Sequence, residues 1–76
     1  LPDAQLEADE RLVWVRRSFE TLPEKQRTAL QLRDIEGHSY QEVATAMDIS
    51  ESDVKVTLHR ARQALKDKLS HLRSHL

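Results

Sequence analysis

Four side chains in the last third of the sequence have the chemistry needed to read a DNA duplex. They are Lys55, Val56, His59 and Arg60. An arginine can donate two hydrogen bonds to guanine O6 and N7, a lysine can reach a guanine or a phosphate, and an aliphatic group can contact a thymine methyl. His59 can donate a hydrogen bond to a base or a phosphate. A helix carrying all four on one side would present a base-reading face to the major groove.

The apolar pattern at the end of the chain predicts such a helix. Wound at about 100° per residue, its apolar side chains through Leu72 fall within about 60° of Val54. The repeat consists of Val54, Leu58, Ala61, Leu65, Leu69, Leu72 and Leu76. The opposite arc holds Ser52, Lys55, Val56, His59, Arg60 and Gln63.

Other residues of this helix fall between the two faces. Thr57 is expected nearer the protein body than the groove. Arg62 and Lys66 lie on the flank, where we expect a phosphate contact or an intrahelical partner such as Asp67.

The preceding residues contain the start signals of two helices. Ser39 and Glu42 match a capping box, and Ser50 with Asp53 resembles a second one with Asp in the Glu position. Between them, a short helix ends near Met47 and a tight turn follows. This spacing predicts a helix-turn-helix at about residues 39–63.

Two earlier helices complete an all-α, four-helix domain with a long C-terminal recognition helix. Asp3 can cap the first, which runs to about Glu20 and carries an apolar stripe of Leu12, Val15, Phe19 and Leu22. Pro23 suits the first position of the second helix, which should stop at Gly37. Leu6, Val13 and Trp14 form another apolar face, for which a protein partner and contact with the last helix are equal expectations.

Composition limits the possible classes of protein. The 76 residues, 38% of them hydrophobic, suit one domain spanning 1–76, and no apolar run is long enough to insert into a membrane. The lack of Cys excludes disulfides and thiolate metal sites and fits a reducing, cytoplasmic setting. Because the chain starts at Leu1 without Met, we expect it to be a piece of a longer protein.

Charge is divided unevenly along the chain. Residues 1–53 contain six Lys or Arg against twelve Asp or Glu, whereas residues 54–76 contain six against one. Only the last helix is therefore basic enough to attract nucleic acid, and Glu51 and Asp53 beside it would repel phosphates. A solvated basic face remains the alternative. We expect weak, salt-dependent DNA affinity.

No arrangement of residues indicates catalysis or a cofactor. His71 and His75 have the spacing of two metal ligands on a helix but lack a third, so surface histidines are expected, and His38 is expected in a loop. We predict no enzymatic activity, no cofactor and no metal.

Four motifs in one order resemble region 4 of bacterial sigma factors, in particular the extracytoplasmic-function (group IV) class. They are LPEKQR at 22–27, LRDIEG at 32–37, SYQEVA at 39–44 and VKVTLHRAR at 54–62. The resemblance covers about residues 12–70. It implies recognition of the −35 element of promoter DNA, binding to the β-flap of the RNA polymerase core, an anti-sigma factor as a further partner, and a bacterial cytoplasmic protein that joins the nucleoid with polymerase.

The resemblance also implies roles for individual residues. Base-reading positions match Lys55, Val56, His59 and Arg60, and phosphate-binding positions match Arg33, Ser39 and Tyr40. Many family members have Ser in place of Val56 and Arg in place of Thr57, so the family's best-known promoter sequence does not transfer to this chain.

Two alternatives remain open at this stage. One is the output helix-turn-helix domain of a response regulator, which shares the long-helix pattern. The other is a helical module that binds only protein, in which Leu65, Leu69, Leu72 and Leu76 form a pairing seam and the basic residues serve solubility.

Overall fold

The computed structural model describes the backbone of residues 3–74 and the side chains of residues 10–70. Within that range the chain forms four α-helices: α1 (Asp3–Glu20), α2 (Glu24–Leu30), α3 (Tyr40–Met47) and α4 (Glu51–Ser74). A π-helical turn, Gln31–Ile35, continues α2. The predicted all-α class and four helices are confirmed.

Arg27 holds the connection between α1 and α2 through hydrogen bonds to the last carbonyl of α1 and to one within the connection. The guanidinium of Arg27 donates to the carbonyls of Glu20 and Leu22, at 3.2 and 3.3 Å. Pro23 is the residue before α2 rather than its first helical residue, because its ψ of 146° is extended. The predicted position of Pro23 was therefore wrong by one residue.

The second helix ends differently from the expected α-helix. From Gln31 its turns widen, and the N–H of Glu36 donates to the carbonyl of Gln31, five residues earlier. Gly37 then stops the helix with φ +79°, as predicted. The widened turn makes room for one more residue than an α-turn holds. It therefore changes the directions in which Arg33, Asp34 and Ile35 point.

The short helix α3 follows the predicted cap at Ser39 and ends at Met47, as predicted. Both bonds of the first capping box form: Glu42 N–H donates to the Ser39 hydroxyl at 3.1 Å, and Ser39 N–H donates to the Glu42 carboxylate at 2.9 Å. Asp48 makes the turn after α3 in the left-handed region, with φ 57°. The side chain of an Asp tolerates this conformation better than most.

One core lies between α2, α3 and α4. Its buried side chains are Leu22, Ala29, Leu30, Val43, Ala44, Val54, Leu58 and Ala61. Phe19, Tyr40, Met47 and Ile49 pack around this core and are partly buried. Val43 and Ala44 of α3 and Val54 and Leu58 of α4 thus belong to the same buried cluster.

The apolar stripe of α1 is only partly in the core. Leu22 is buried, but Leu12 and Val15 keep 54% and 40% of their surface exposed. The predicted stripe therefore contributes Leu22 to the buried core and leaves Leu12 and Val15 largely on the surface. The exposure of Val13 and Trp14 at 48% and 44% agrees with a free second face rather than contact with α4.

Several expectations concern residues outside the described side chains. They are the cap at Asp3, the apolar Leu6, Leu72 and Leu76, and the histidines His71 and His75. Among the described residues, none of the helices is sufficiently long and apolar to cross a bilayer.

Candidate nucleic-acid interface

The first turns of α4 separate into a buried face and an exposed face. Lys55, Val56, His59 and Arg60 are all exposed. The opposite face of the same turns is buried, with at most 5% of each side chain exposed, and consists of Val54, Thr57, Leu58 and Ala61. The structure therefore brings the four predicted base-reading residues together on one side, with Thr57 on the body side as predicted.

The start of α4 is held by a network that the sequence did not predict. Ser50 caps the helix by accepting from the Asp53 N–H at 3.0 Å. The carboxylate of Asp53 does not complete a capping box but accepts from Lys25 Nζ at 2.9 and 3.1 Å and from the Thr57 hydroxyl at 3.2 Å. The Lys25 hydrogen bond lowers the pKa of Asp53.

This network changes the electrostatic argument at the reading face. Asp53, expected to repel phosphates, is paired with a lysine from α2. Its negative charge is therefore compensated within the protein. Lys25 also ties the first turn of α4 to α2 and thereby limits how far the recognition helix can rotate.

Arg33, Tyr40 and Lys55 form a second group beside the reading face. The Arg33 guanidinium carbon lies 4.6 Å from the centre of the Tyr40 ring, and Lys55 Nζ lies 5.6 Å from it. Arg33 also donates to the His38 carbonyl at 2.9 Å. Residues from the π-turn, α3 and α4 thus meet around one aromatic ring.

The start of α3 combines the capping box with a small acidic cluster. His38 lies in the loop before α3, as predicted, with its Nε2 3.2 Å from Glu36 and its Nδ1 3.8 Å from Glu42. The backbone N–H of Ser39 is the main cause that lowers the pKa of Glu42. The Ser39 hydroxyl is exposed and accepts the capping bond.

Arg62 has a different partner from the one predicted. Its Nε and Nη2 donate to the two oxygens of Asp34, at 3.0 and 2.6 Å, and this hydrogen bonding raises the pKa of Arg62 further. The expected intrahelical pairing with Asp67 was wrong, because the π-turn brings Asp34 to the flank of α4. A phosphate that binds Arg62 must compete with Asp34.

An apolar groove lies on the face of α4 opposite the reading face. Its volume is about 280 Å³. It is lined by Leu12, Val15, Arg16, Phe19, Leu30, Asp34, Ile35 and Leu65. Ile35 is 63% exposed. Contiguous exposed apolar surface of this kind marks interaction sites. Ile35 does not stand out in the sequence, because no local pattern distinguishes it from a core residue of the second helix.

No group of acidic or histidine side chains suited to a metal occurs among residues whose side chains are described. The functional features in that range are therefore the exposed face of α4, the cations beside it and the apolar groove. A short capped helix, a tight turn and a longer helix with an exposed basic face define the chain as a helix-turn-helix domain.

Residues 12–65 match the protein family described as Sigma-70, region 4. The chain belongs to this family, and the resemblance found in its four motifs is confirmed.

Relatives support the extracytoplasmic-function class. The chain is 41% identical over 56 residues to the ECF RNA polymerase sigma-E factor of Escherichia coli, covering 74% of this chain and 29% of that protein. It is 38% identical over 71 residues to the RNA polymerase sigma-H factor of Pseudomonas aeruginosa, covering 93% of this chain and 37% of that protein. The chain thus spans about a third of the length of these curated relatives.

Proposed function

We propose that this domain recognises the −35 element of promoter DNA as part of a sigma factor that directs RNA polymerase to initiate transcription. The observation that carries the proposal is the exposed group of Lys55, Val56, His59 and Arg60 on the second helix of a helix-turn-helix. In such domains, residues near the start of the second helix contact base edges in the major groove. The family membership favours this function over a response-regulator output domain.

Each reading residue has a chemically distinct task. Arg60 donates two hydrogen bonds to guanine O6 and N7, and Lys55 reaches a guanine or a phosphate. Val56 contacts a thymine methyl group, and His59 donates to a base or a phosphate. The buried Thr57 takes no part in reading and instead holds Asp53 through its hydroxyl.

Phosphate contacts fix the register of the helix on the duplex. We assign them to the side chains of Arg33, Ser39 and Arg62 and to the backbone N–H of Tyr40. Ser39 and Tyr40 lie at the start of α3, where backbone N–H groups also favour an anion. Arg62 contributes only when a phosphate replaces Asp34 as its partner.

The polymerase side of the function is assigned to the apolar groove. We propose that the β-flap of the RNA polymerase core covers Leu12, Val15 and Ile35, and that an anti-sigma factor competes for the same surface. The groove supports this because it leaves large apolar side chains of α1 and the π-turn exposed beside Leu65 of α4, away from the reading face. DNA and polymerase can then bind the domain at the same time.

DNA recognition is tested by selection from a random duplex pool at low salt. Wild type should enrich one motif, and Arg60→Ala should lose about 1–3 kcal/mol of discrimination at one base pair. Arg11→Ala is the matched control, because Arg11 is an exposed arginine on α1. Equal loss on every sequence would make Arg60 a phosphate contact, and equal retention of all duplexes by wild type would refute promoter reading.

Polymerase binding is tested separately with purified core enzyme. Ile35→Asp places a charge in the groove and should abolish binding to core while leaving duplex binding unchanged. Val13→Asp is the matched control, since Val13 is exposed on α1 but does not line the groove. If Ile35→Asp binds the polymerase core enzyme as well as wild type does, the β-flap does not bind the groove. The result would instead favour a protein-binding surface elsewhere on α1.

A further inference from the structure

We propose that Tyr40 serves DNA binding chiefly through its ring, as a platform that positions Arg33 and Lys55, and less through its hydroxyl. The hydroxyl faces a different cation, Arg62, whose pKa is raised by Asp34 and, to a lesser extent, by this hydroxyl. This inference rests on the proposed function and assigns Tyr40 the role of a positioning residue. The Arg33 guanidinium and the Lys55 ammonium lie 4.6 and 5.6 Å from the ring centre, both within the range of a cation–π interaction.

The ring is itself fixed by the fold. Tyr40 is the first residue of α3, directly after the capping residue Ser39, and its side chain packs partly buried against the core. The two cations come from separate segments, the π-turn and α4, and both lie over the same ring. The negative potential over the faces of the aromatic ring attracts each of them.

Holding Arg33 and Lys55 against the ring lowers the entropic cost of binding DNA. A long cationic side chain in solution loses rotamer freedom when it binds a phosphate or a base, and a side chain already held in place loses less. Arg33 is further restrained by its bond to the His38 carbonyl. The platform therefore links a phosphate-binding cation to a base-reading cation in one rigid unit.

Two substitutions at Tyr40 separate the ring from the hydroxyl. Tyr40→Phe keeps the ring and removes the hydroxyl, whereas Tyr40→Leu removes the ring and keeps an apolar side chain. We expect Tyr40→Leu to weaken binding to a labelled 20-base-pair duplex of mixed sequence at low salt by about five-fold, from about 0.5 kcal/mol of regained rotamer freedom for each of the two cationic side chains. Tyr40→Phe should bind within about two-fold of wild type. Circular dichroism establishes that each variant is folded.

A readout independent of DNA completes the test. In wild type and Tyr40→Phe, NMR should show the ring current of residue 40 shifting the Lys55 side-chain methylene resonances upfield, and Tyr40→Leu should abolish the shift. In a Lys55→Met background, the effect of Tyr40→Leu on affinity should shrink, because one of the positioned cations is already gone.

The outcomes separate this inference from the function on which it rests. If Tyr40→Phe binds DNA as weakly as a folded Tyr40→Leu, the hydroxyl is what matters and the inference is overturned. It is also overturned if the chemical shifts of the Lys55 methylene groups are unchanged in Tyr40→Leu, because Tyr40 then has only a packing role. Failure of wild type to bind any duplex refutes the proposed function itself, which is visible without any variant.

Discussion

Replacing Asp34 by alanine is expected to strengthen DNA binding while slightly destabilising the fold. In the protein, both oxygens of Asp34 accept hydrogen bonds from Arg62, so the Nε and Nη2 groups of Arg62 are already occupied. Removing the carboxylate frees these donors of a permanently charged side chain on the flank of α4. It also removes one negative charge from that flank.

The structure sets the size of both effects. The side chains of Arg62 and Asp34 are 48% and 39% exposed. Because solvent screens such a pair, its loss should cost about 0.5–1 kcal/mol of unfolding free energy. Each added phosphate contact steepens the dependence of log K on log salt by about 0.9, which corresponds to about three- to four-fold in affinity between roughly 50 and 200 mM salt.

The assay is fluorescence anisotropy with a labelled duplex, repeated over a series of salt concentrations. Asp67→Ala is the matched control. Asp67 is exposed on α4, the helix that carries Arg62, and has the same charge as Asp34, but Arg62 is hydrogen-bonded to Asp34 and not to Asp67. The double variant Asp34→Ala with Arg62→Gln tests whether the gain depends on Arg62.

Three results would refute this reasoning. An unchanged salt slope in Asp34→Ala would mean that the freed Arg62 does not reach a phosphate. An equal change in Asp67→Ala would reduce the effect to net charge. A gain that persists in the double variant would assign it to another cation.

Three further predictions concern the fold. Leu58→Ala should cost about 2–5 kcal/mol in urea unfolding, since Leu58 is 1% exposed at the centre of the core, and a loss below that range would show that the site collapses. Gly37→Ala should cost about 1–2 kcal/mol. No atom lies within 4 Å of an added Cβ, so that cost comes from the φ of +79° alone. Gly37→Asn should lose less unfolding free energy than Gly37→Ala, because Asn tolerates a positive φ better. An equal loss in the two variants would contradict a backbone origin. Lys25 holds the pKa of Asp53 below its ordinary value of 3.8. The ion pair of Asp53 with Lys25 therefore stabilises the fold above that pH, and this stabilisation disappears as the pH falls through the folded-state pKa. The Tm difference between wild type and Asp53→Asn should shrink in acid, and a constant difference would show that the ion pair contributes nothing.

Local patterns were sufficient to predict the helix-turn-helix. The capping box at Ser39 and Glu42 and the helix stop at Gly37 each depend on residues within one turn of chain, so their geometry follows from sequence spacing. The exposed face of α4 was predictable for a related reason. Apolar residues at steps of three and four fix which side of a helix is buried, and therefore which side carries Lys55 and Arg60.

Contacts between distant segments could not be predicted in this way. Asp53 with Lys25 and Arg62 with Asp34 each join residues 28 positions apart, and no local pattern specifies such pairs. The same limit applies to Leu12, whose apolar spacing indicated a core position. Whether an amphipathic helix has a partner within its own chain depends on the packing of the remaining helices. Whether DNA contacts the assigned phosphate-binding residues stays a prediction.

The widened turn at Gln31–Ile35 makes three successive residues serve three different surfaces. Arg33 reaches the aromatic platform, Asp34 holds the flank of the recognition helix, and Ile35 projects into the apolar groove. Deleting one residue there would restore an ordinary α-turn and remove the extra residue that the wide turn accommodates. An α-turn of that length cannot send three successive side chains to three separate surfaces in the same way, so the length of this segment determines which residue reaches which surface.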